Sequence, residues 1–162
     1  MQIEAFGQHL PRHEIEDYEG GMSMIVRTAT SEDETDVTEL WRSCNLVANY
    51  NDPAADFRFA LLGPNSTVLV GNAEGRICGS VMVGHDGHRG WLYYVASAPD
   101  QQRQGTGQAM IEAGEKWLRE RNVIKVQLMI RNTSTAVVPF YQRLGYEESP
   151  RILMSKWLSK TD

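Results

Sequence analysis

Between Trp91 and Leu118 the hydrophobic pattern changes period once, across a single short polar segment. Trp91 to Ser97 is a strand-like run, whereas Met110, Ala113, Gly114, Trp117 and Leu118 recur at i, i+3, i+4, i+7 and i+8, the stripe of an amphipathic helix. The joint, Pro99 to Gln108, carries Gln102, Arg103, Gln104, Gly105, Thr106, Gly107 and Gln108. The first N–H groups of a helix have no intrahelical partner and sit at the positive end of its dipole, and small residues there let a phosphate approach. A P-loop requires Gly-Lys-Ser/Thr, and a dinucleotide fingerprint requires glycine where this chain has Met110, so neither applies. Taken alone, the segment reads equally well as an ordinary strand-to-helix connection.

The rest of the chain adds elements around this joint. Met24 to Arg27 reads as a strand, and Ser31-x-x-Glu34 has capping-box spacing ahead of a helix carrying Val37, Leu40, Trp41 and Cys44. Asp52-Pro53 supplies N-cap and first-turn chemistry for a second helix with Phe57, Ala60 and Leu61 inward. Thr67 to Val70, Ile77 to Val83 and Trp91 to Ser97, divided by turns at Asn72 to Gly75 and His85 to Gly90, predict a three-strand meander. Lys125 to Ile130 alternates as a strand, Ala136 to Leu144 reads as a helix ending at Gly145, and Ile152 to Trp157 as a last strand. Pro139 requires that helix to start late or to bend. The order predicts an α+β, three-layer fold: a mixed, mostly antiparallel sheet with helices on both faces. Trp41, Trp117 and Trp157 are expected in the core.

At 162 residues the chain fits one domain. We expect it to span 24–162, with 1–23 as a poorly ordered or start-site-dependent extension, since Met22 and Met24 both precede the first strand. A net charge of -5 without a basic run argues against a nucleic-acid partner. No apolar stretch approaches the ~18 residues of a membrane span, and there is no signal-like h-region. Cys44 and Cys78 lie far apart with no CxxC or His-rich spacing, so no metal and no disulfide is expected, which suits the reducing cytoplasm.

Gln102-Arg103-Gln104-Gly105-Thr106-Gly107 resembles the Gln/Arg-x-x-Gly-x-Gly/Ala acetyl-CoA signature of the GNAT family of N-acetyltransferases. Phe140-Tyr141-Gln142-Arg143-Leu144-Gly145-Tyr146 resembles that family's C-terminal motif, in the right order. Trp41 to Pro53 and Gly84 to Tyr94 are similar to the YpeA-type subgroup of small bacterial members, and the likeness runs from about Met24 to the C-terminus. The resemblance implies the GNAT fold, acetyl-CoA as co-substrate without a metal, and an amine acceptor, either a small molecule or a protein amine. Whether the chain acts alone or as a homodimer is left open.

The resemblance further implies that the strand before the glycine loop splays from its neighbour, and that Val95 and Ser97 bind the pantetheine arm and thioester carbonyl. Fixed N–H donors there would stabilise charge on the carbonyl oxygen as an amine attacks. By motif, Tyr141 is the general acid: a phenol titrates near 10 and a thiol near 8.5, so a positioned Tyr is protonated when the thiolate leaves. Ser134 stands seven residues earlier, where the family commonly has an Asn contacting the cofactor arm. No carboxylate on Trp91 to Ser97 offers itself as the base. Asp86 and His88 read as turn residues before catalytic ones, and strand alternation puts Tyr93 and Tyr94 on opposite faces. Two alternatives stand beside a small-amine acetyltransferase: an enzyme for protein N-termini or lysines of the ribosomal-protein type, and a non-catalytic acyl-CoA sensor.

Overall fold

The computed structural model describes residues 23–158, which fall into two compact units, 23–129 and 130–158. The expected N-terminal extension lies, apart from Ser23, outside the described residues.

In the first unit, β1 (Ile25–Thr28), β2 (Ser66–Ala73), β3 (Arg76–His85), β4 (Gly90–Ser97) and β5 (Val126–Leu128) form one sheet in sequential order. The first four pair antiparallel, while β5 runs parallel to β4 after the crossover through α3 (Thr106–Arg119). The β2–β3 hairpin closes on Glu74 and Gly75, both with positive φ (52° and 79°), so its two-residue turn matches the twist of the strands. The β5 expected over Lys125 to Ile130 is thus shorter.

Two neighbouring residues of β3 show the layering. A Cβ on Gly79 would meet Thr106 Cγ2 at 2.7 Å and Met110 Cγ at 3.0 Å, both on α3. Ser80, on the other face, accepts a 2.9 Å hydrogen bond from the indole of Trp41 on α1 (Glu34–Ser43). Helices therefore cover both faces. Trp41, Val37, Val68, Val70 and Phe57 are fully buried on the α1 side, and Met110, Ile111 and Leu118 on the α3 side. Each such side chain contributes about 1.5–3 kcal/mol of burial.

Local chemistry explains where the helices begin. The α1 cap lies one residue earlier than the Ser31 spacing predicts: the Asp33 carboxylate accepts the Thr30 N–H at 2.7 Å, and a 3-10 turn, Ser31–Asp33, leads into Glu34. Asp33 is buried and also takes two bonds from Arg27 at 2.6 and 2.8 Å, a forked pairing that Ser31 could not make. Asp52 caps α2 (Pro53–Leu62) as expected, accepting from Ala54 N–H and Ala55 N–H at 3.0 and 3.1 Å.

In the second unit a 3-10 turn, Thr135–Val137, precedes α4 (Val138–Arg143), so Pro139 lies in the first turn and costs no hydrogen bond. The helix starts late rather than bending. Ile152 to Trp157 forms no strand, and this unit holds no other strand to accept its backbone hydrogen bonds.

Candidate active site

The β3–β4 ladder contains a bulge. Ser80 pairs with Ala96 and Met82 with Tyr93, so Val81 faces both Tyr94 and Val95. Tyr94 takes the left-handed conformation there, with φ 49°. For a residue with an aromatic Cβ substituent this stores about 1–3 kcal/mol of strain, which the surroundings must offset. They do so on the α1 side. The Tyr94 ring stacks on Trp41, its hydroxyl donates to Asp56 Oδ2 at 2.8 Å, and Asn51 Nδ2 donates to that hydroxyl at 3.3 Å.

The bulge overturns the expected alternation. Leu92 faces α3, where it limits the space beside Gly114, so Trp91 and Tyr93, whose rings stack, face away from it. Tyr94, which alternation would send back towards α3, instead joins them on the Trp41 side. Beyond the bulge Ala96 is buried in the α1-side core.

The β4–β5 pairing covers only Gly90 to Leu92 against Val126 to Leu128. β4 thus parts from β5 just before Tyr94, Val95 and Ser97. Val95 and Ser97 are half-buried. The Ser97 carbonyl accepts from the Cys44 thiol at 3.2 Å, and its hydroxyl donates to the Gln101 carbonyl at 3.3 Å. Burial pushes the thiols of Cys44 and Cys78 up, which leaves neither a ready thiolate nucleophile, and both are free.

The glycine loop continues from β4. A 3-10 turn, Pro99–Gln101, is followed by Gln102, Arg103 with φ 62°, Gln104 and Gly105 with φ 86°, the N-cap of α3. Thr106, Gly107 and Gln108 therefore form the first turn of the helix. The first helical bond runs from Ala109 N–H to the Gly105 carbonyl at 2.9 Å, and no side chain caps the end. The N–H groups of Thr106, Gly107 and Gln108 thus precede the first bonded position and point outward along the axis. A Cβ on Gly105 would meet nothing within 4 Å, so the space beside Gly105 is open. Among the described residues Arg103 has no carboxylate partner, in contrast to Arg76, which pairs with Asp100. The Gln104 and Gln108 amides bond within the loop and helix, to the Asp100 carbonyl at 3.2 Å and Glu112 Oε1 at 2.8 Å. Open N–H donors and a guanidinium without a carboxylate partner among the described residues could hold an anion such as a diphosphate.

Ser134 and Tyr141 lie in the second unit. Ser134 is the N-cap of the Thr135–Val137 turn. Tyr141 belongs to a Schellman ending of α4: Tyr146 N–H bonds the Tyr141 carbonyl at 3.1 Å, Gly145 N–H bonds the Gln142 carbonyl at 3.0 Å, and Gly145 has φ 88°. The rings of Tyr141 and Tyr146 meet edge to face at 5.8 Å, the apolar contact that accompanies this motif. Tyr-x-x-x-Gly-Tyr is thus a helix stop as well as a signature. Burial pushes the Tyr141 phenol up, so it is protonated across the neutral range.

Asp86 is a turn residue. Its carboxylate accepts Arg89 N–H at 2.7 Å and His88 N–H at 2.9 Å and the Trp91 indole at 3.3 Å, and the two N–H groups hold it down to about 2. A carboxyl group that acidic is a poor base near pH 7. Sequence reasoning passed over Asp56, whose contact with Tyr94 joins elements 38 residues apart. It also had no glycine or asparagine at position 94 to mark the bulge. Among the described residues no three His, Cys, Asp or Glu side chains group as metal ligands, and no helix is long and apolar enough to cross a membrane.

The β4 bulge leads through the loop into the uncapped glycine turn that opens α3, and comparison with known proteins shows the family. Residues 34–146 match the Acetyltransferase (GNAT) family. An acetyltransferase of Yersinia pseudotuberculosis is 37% identical over 135 residues, covering 83% of this chain and 96% of that protein. One from Pectobacterium atrosepticum is 38% identical over the same shares. The fold is similar to that of aminoglycoside N-acetyltransferase AAC(6')-Iy in complex with CoA, with a TM-score of 0.74 at 17% identity, covering 88% of this chain and 99% of that one. The chain belongs to the GNAT family and is an acetyltransferase.

Proposed function

We propose that the enzyme transfers an acetyl group from acetyl-CoA to a primary amine by direct attack, within one catalytic domain spanning 24–162 and acting in the cytoplasm. The observation that carries this reading is the end of the β4–β5 ladder at Leu92, followed at once by the strained bulge at Tyr94 and Val95. A bulge that re-aims backbone groups beside a strand opening is the kind of strain found at functional sites.

Acetyl-CoA supplies the activated thioester. The N–H groups of Thr106, Gly107 and Gln108, with Arg103, would hold its diphosphate, aided by Gln102, Gln104 and Gly105. Val95 and Ser97 would bind the arm and donate to the carbonyl oxygen, where fixed donors lower the barrier to attack. Ser134 would contact the arm. Tyr141 would give its phenolic proton to the departing sulfur; its place in the motif supports that role, and it carries the proton across the neutral range. Calorimetry should show 1:1 acetyl-CoA binding, and free-thiol release should be followed with an amine panel that includes diamines, N-terminal peptides, lysine peptides and aminoglycosides. Release above the hydrolysis background with any amine excludes the sensor alternative. No release with all of them, despite tight binding, would establish it.

A further inference from the structure

We propose that Asp56, held by the Tyr94 hydroxyl, forms a subsite for a second, non-reacting cationic group of the acceptor, so that acceptors with two amines are preferred over those with one. This inference rests on the amine-acetylation reading above.

Asp56 sits in the early part of α2, half-buried, on the side of the sheet to which the bulge turns Tyr94. One carboxylate oxygen, Oδ2, receives the Tyr94 hydroxyl at 2.8 Å, and Asn51 donates to that hydroxyl from the other side at 3.3 Å. Among the described residues no Lys or Arg pairs with the carboxylate. The arginine two residues on, Arg58, turns instead to Glu34 at 2.7 Å. Burying part of a carboxylate without a cation carries a desolvation cost that a bound cation would offset. Here the negative charge stands available, and Tyr94 connects it through a single side chain to the backbone at Val95.

The chemistry then decides which nitrogen belongs there. A carboxylate in contact with an ammonium favours its charged form. The attacking nitrogen must be neutral, so Asp56 would hinder it; a cation that stays charged throughout gains from Asp56 and loses nothing. The acceptor class is therefore a molecule with at least two basic groups, one presented to the thioester and one on Asp56.

Asp56→Asn separates this role from anchoring, because the amide oxygen still accepts the Tyr94 hydroxyl while the charge is lost. The probes are linear diamines of three to eight carbons and the monoamines of equal length. Two readouts are needed: calorimetric binding to CoA-loaded protein, and kcat/KM for acetyl transfer. In the wild type at least one diamine should exceed its monoamine, with the advantage declining as salt is added. Asp56→Asn should reduce that ratio by about 10- to 100-fold, the worth of a charged hydrogen-bonded contact, mainly through KM, with the melting temperature unchanged. A wild type without diamine preference in either readout, or an Asp56→Asn variant that keeps it, overturns the subsite. Diamine binding that Asp56→Asn abolishes, without turnover of any amine, would retain the subsite and instead defeat the acetylation reading.

Discussion

The indole of Trp41 lies nearly flat against the phenol ring of Tyr94, with centroids 4.1 Å apart and planes inclined by 11°. The stack joins α1 to β4 at the residue where the β4 alternation breaks. The same indole is tethered below by Ser80, so a single buried side chain holds both the core and the strained residue in place.

Trp41→Phe removes ring area and leaves the Ser80 hydroxyl buried without its donor. We expect a loss of about 2–4 kcal/mol, and only about 1–2 kcal/mol for Tyr94→Phe, which keeps the stacked ring and loses the bond to Asp56. Urea denaturation midpoints compare the two; equal losses would mean that the stack contributes little.

Gly105 and Gly79 should fail for different reasons. Gly105 has φ 86° with open space around a new Cβ, so Gly105→Val adds about 1–3 kcal/mol of backbone strain and crowds the approach to the helix end. Acetyl-CoA affinity should fall at least tenfold by calorimetry. Gly79→Ala instead drives a methyl into Thr106 and Met110, a packing cost of about 1–3 kcal/mol seen in thermal melts.

Asp33 makes stability depend on pH. Hydrogen bonding from the Arg27 guanidinium holds its carboxyl below the ordinary value near 3.9. Its contribution is therefore fully present above about pH 4 and lost as pH falls through the lower, folded-state value. Asp33→Asn should cost about 1–3 kcal/mol at pH 7 through the lost ion pair and weakened cap. The gap between Asp33→Asn and the wild type should narrow in urea titrations as pH falls below about 4; a constant gap down to the acid limit of folding would rule out the carboxylate charge as its source.

Tyr141→Phe keeps the edge-to-face contact with Tyr146 and removes only the hydroxyl. We expect kcat to fall by about 100-fold, the low end for general acid catalysis because a thiolate leaves fairly well. Acetyl-CoA affinity and melting temperature should hardly change, since the hydroxyl is worth most in the transition state. Full turnover where chemistry limits the rate would reduce Tyr141 to the helix stop described above.

Much of the frame follows from local residues. The period change around Gly105, the Asp52-Pro53 cap, the Glu74-Gly75 hairpin and the Gly145 stop each depend on neighbours within a few positions, so the chain announces them directly. The two motifs likewise sit on contiguous segments, and the family they suggested is the family to which the chain belongs. Where competing caps were one residue apart, at Thr30 and Ser31, the choice was made by Arg27 across the chain turn, a contact that spacing cannot reveal.

The sequence by itself determined the order of strands and helices as far as α4, though not the absence of a strand over Ile152 to Trp157, together with the glycine turn that opens α3 and the helix stop that carries Tyr141. Only the tertiary structure decided that Tyr94 leaves the strand alternation and turns its hydroxyl to Asp56. The physical reason lies in range. A helix cap or tight turn is paid for by residues beside it, whereas a left-handed tyrosine is tolerated only because Trp41, Asn51 and Asp56, brought from elsewhere in the chain, stabilise it together.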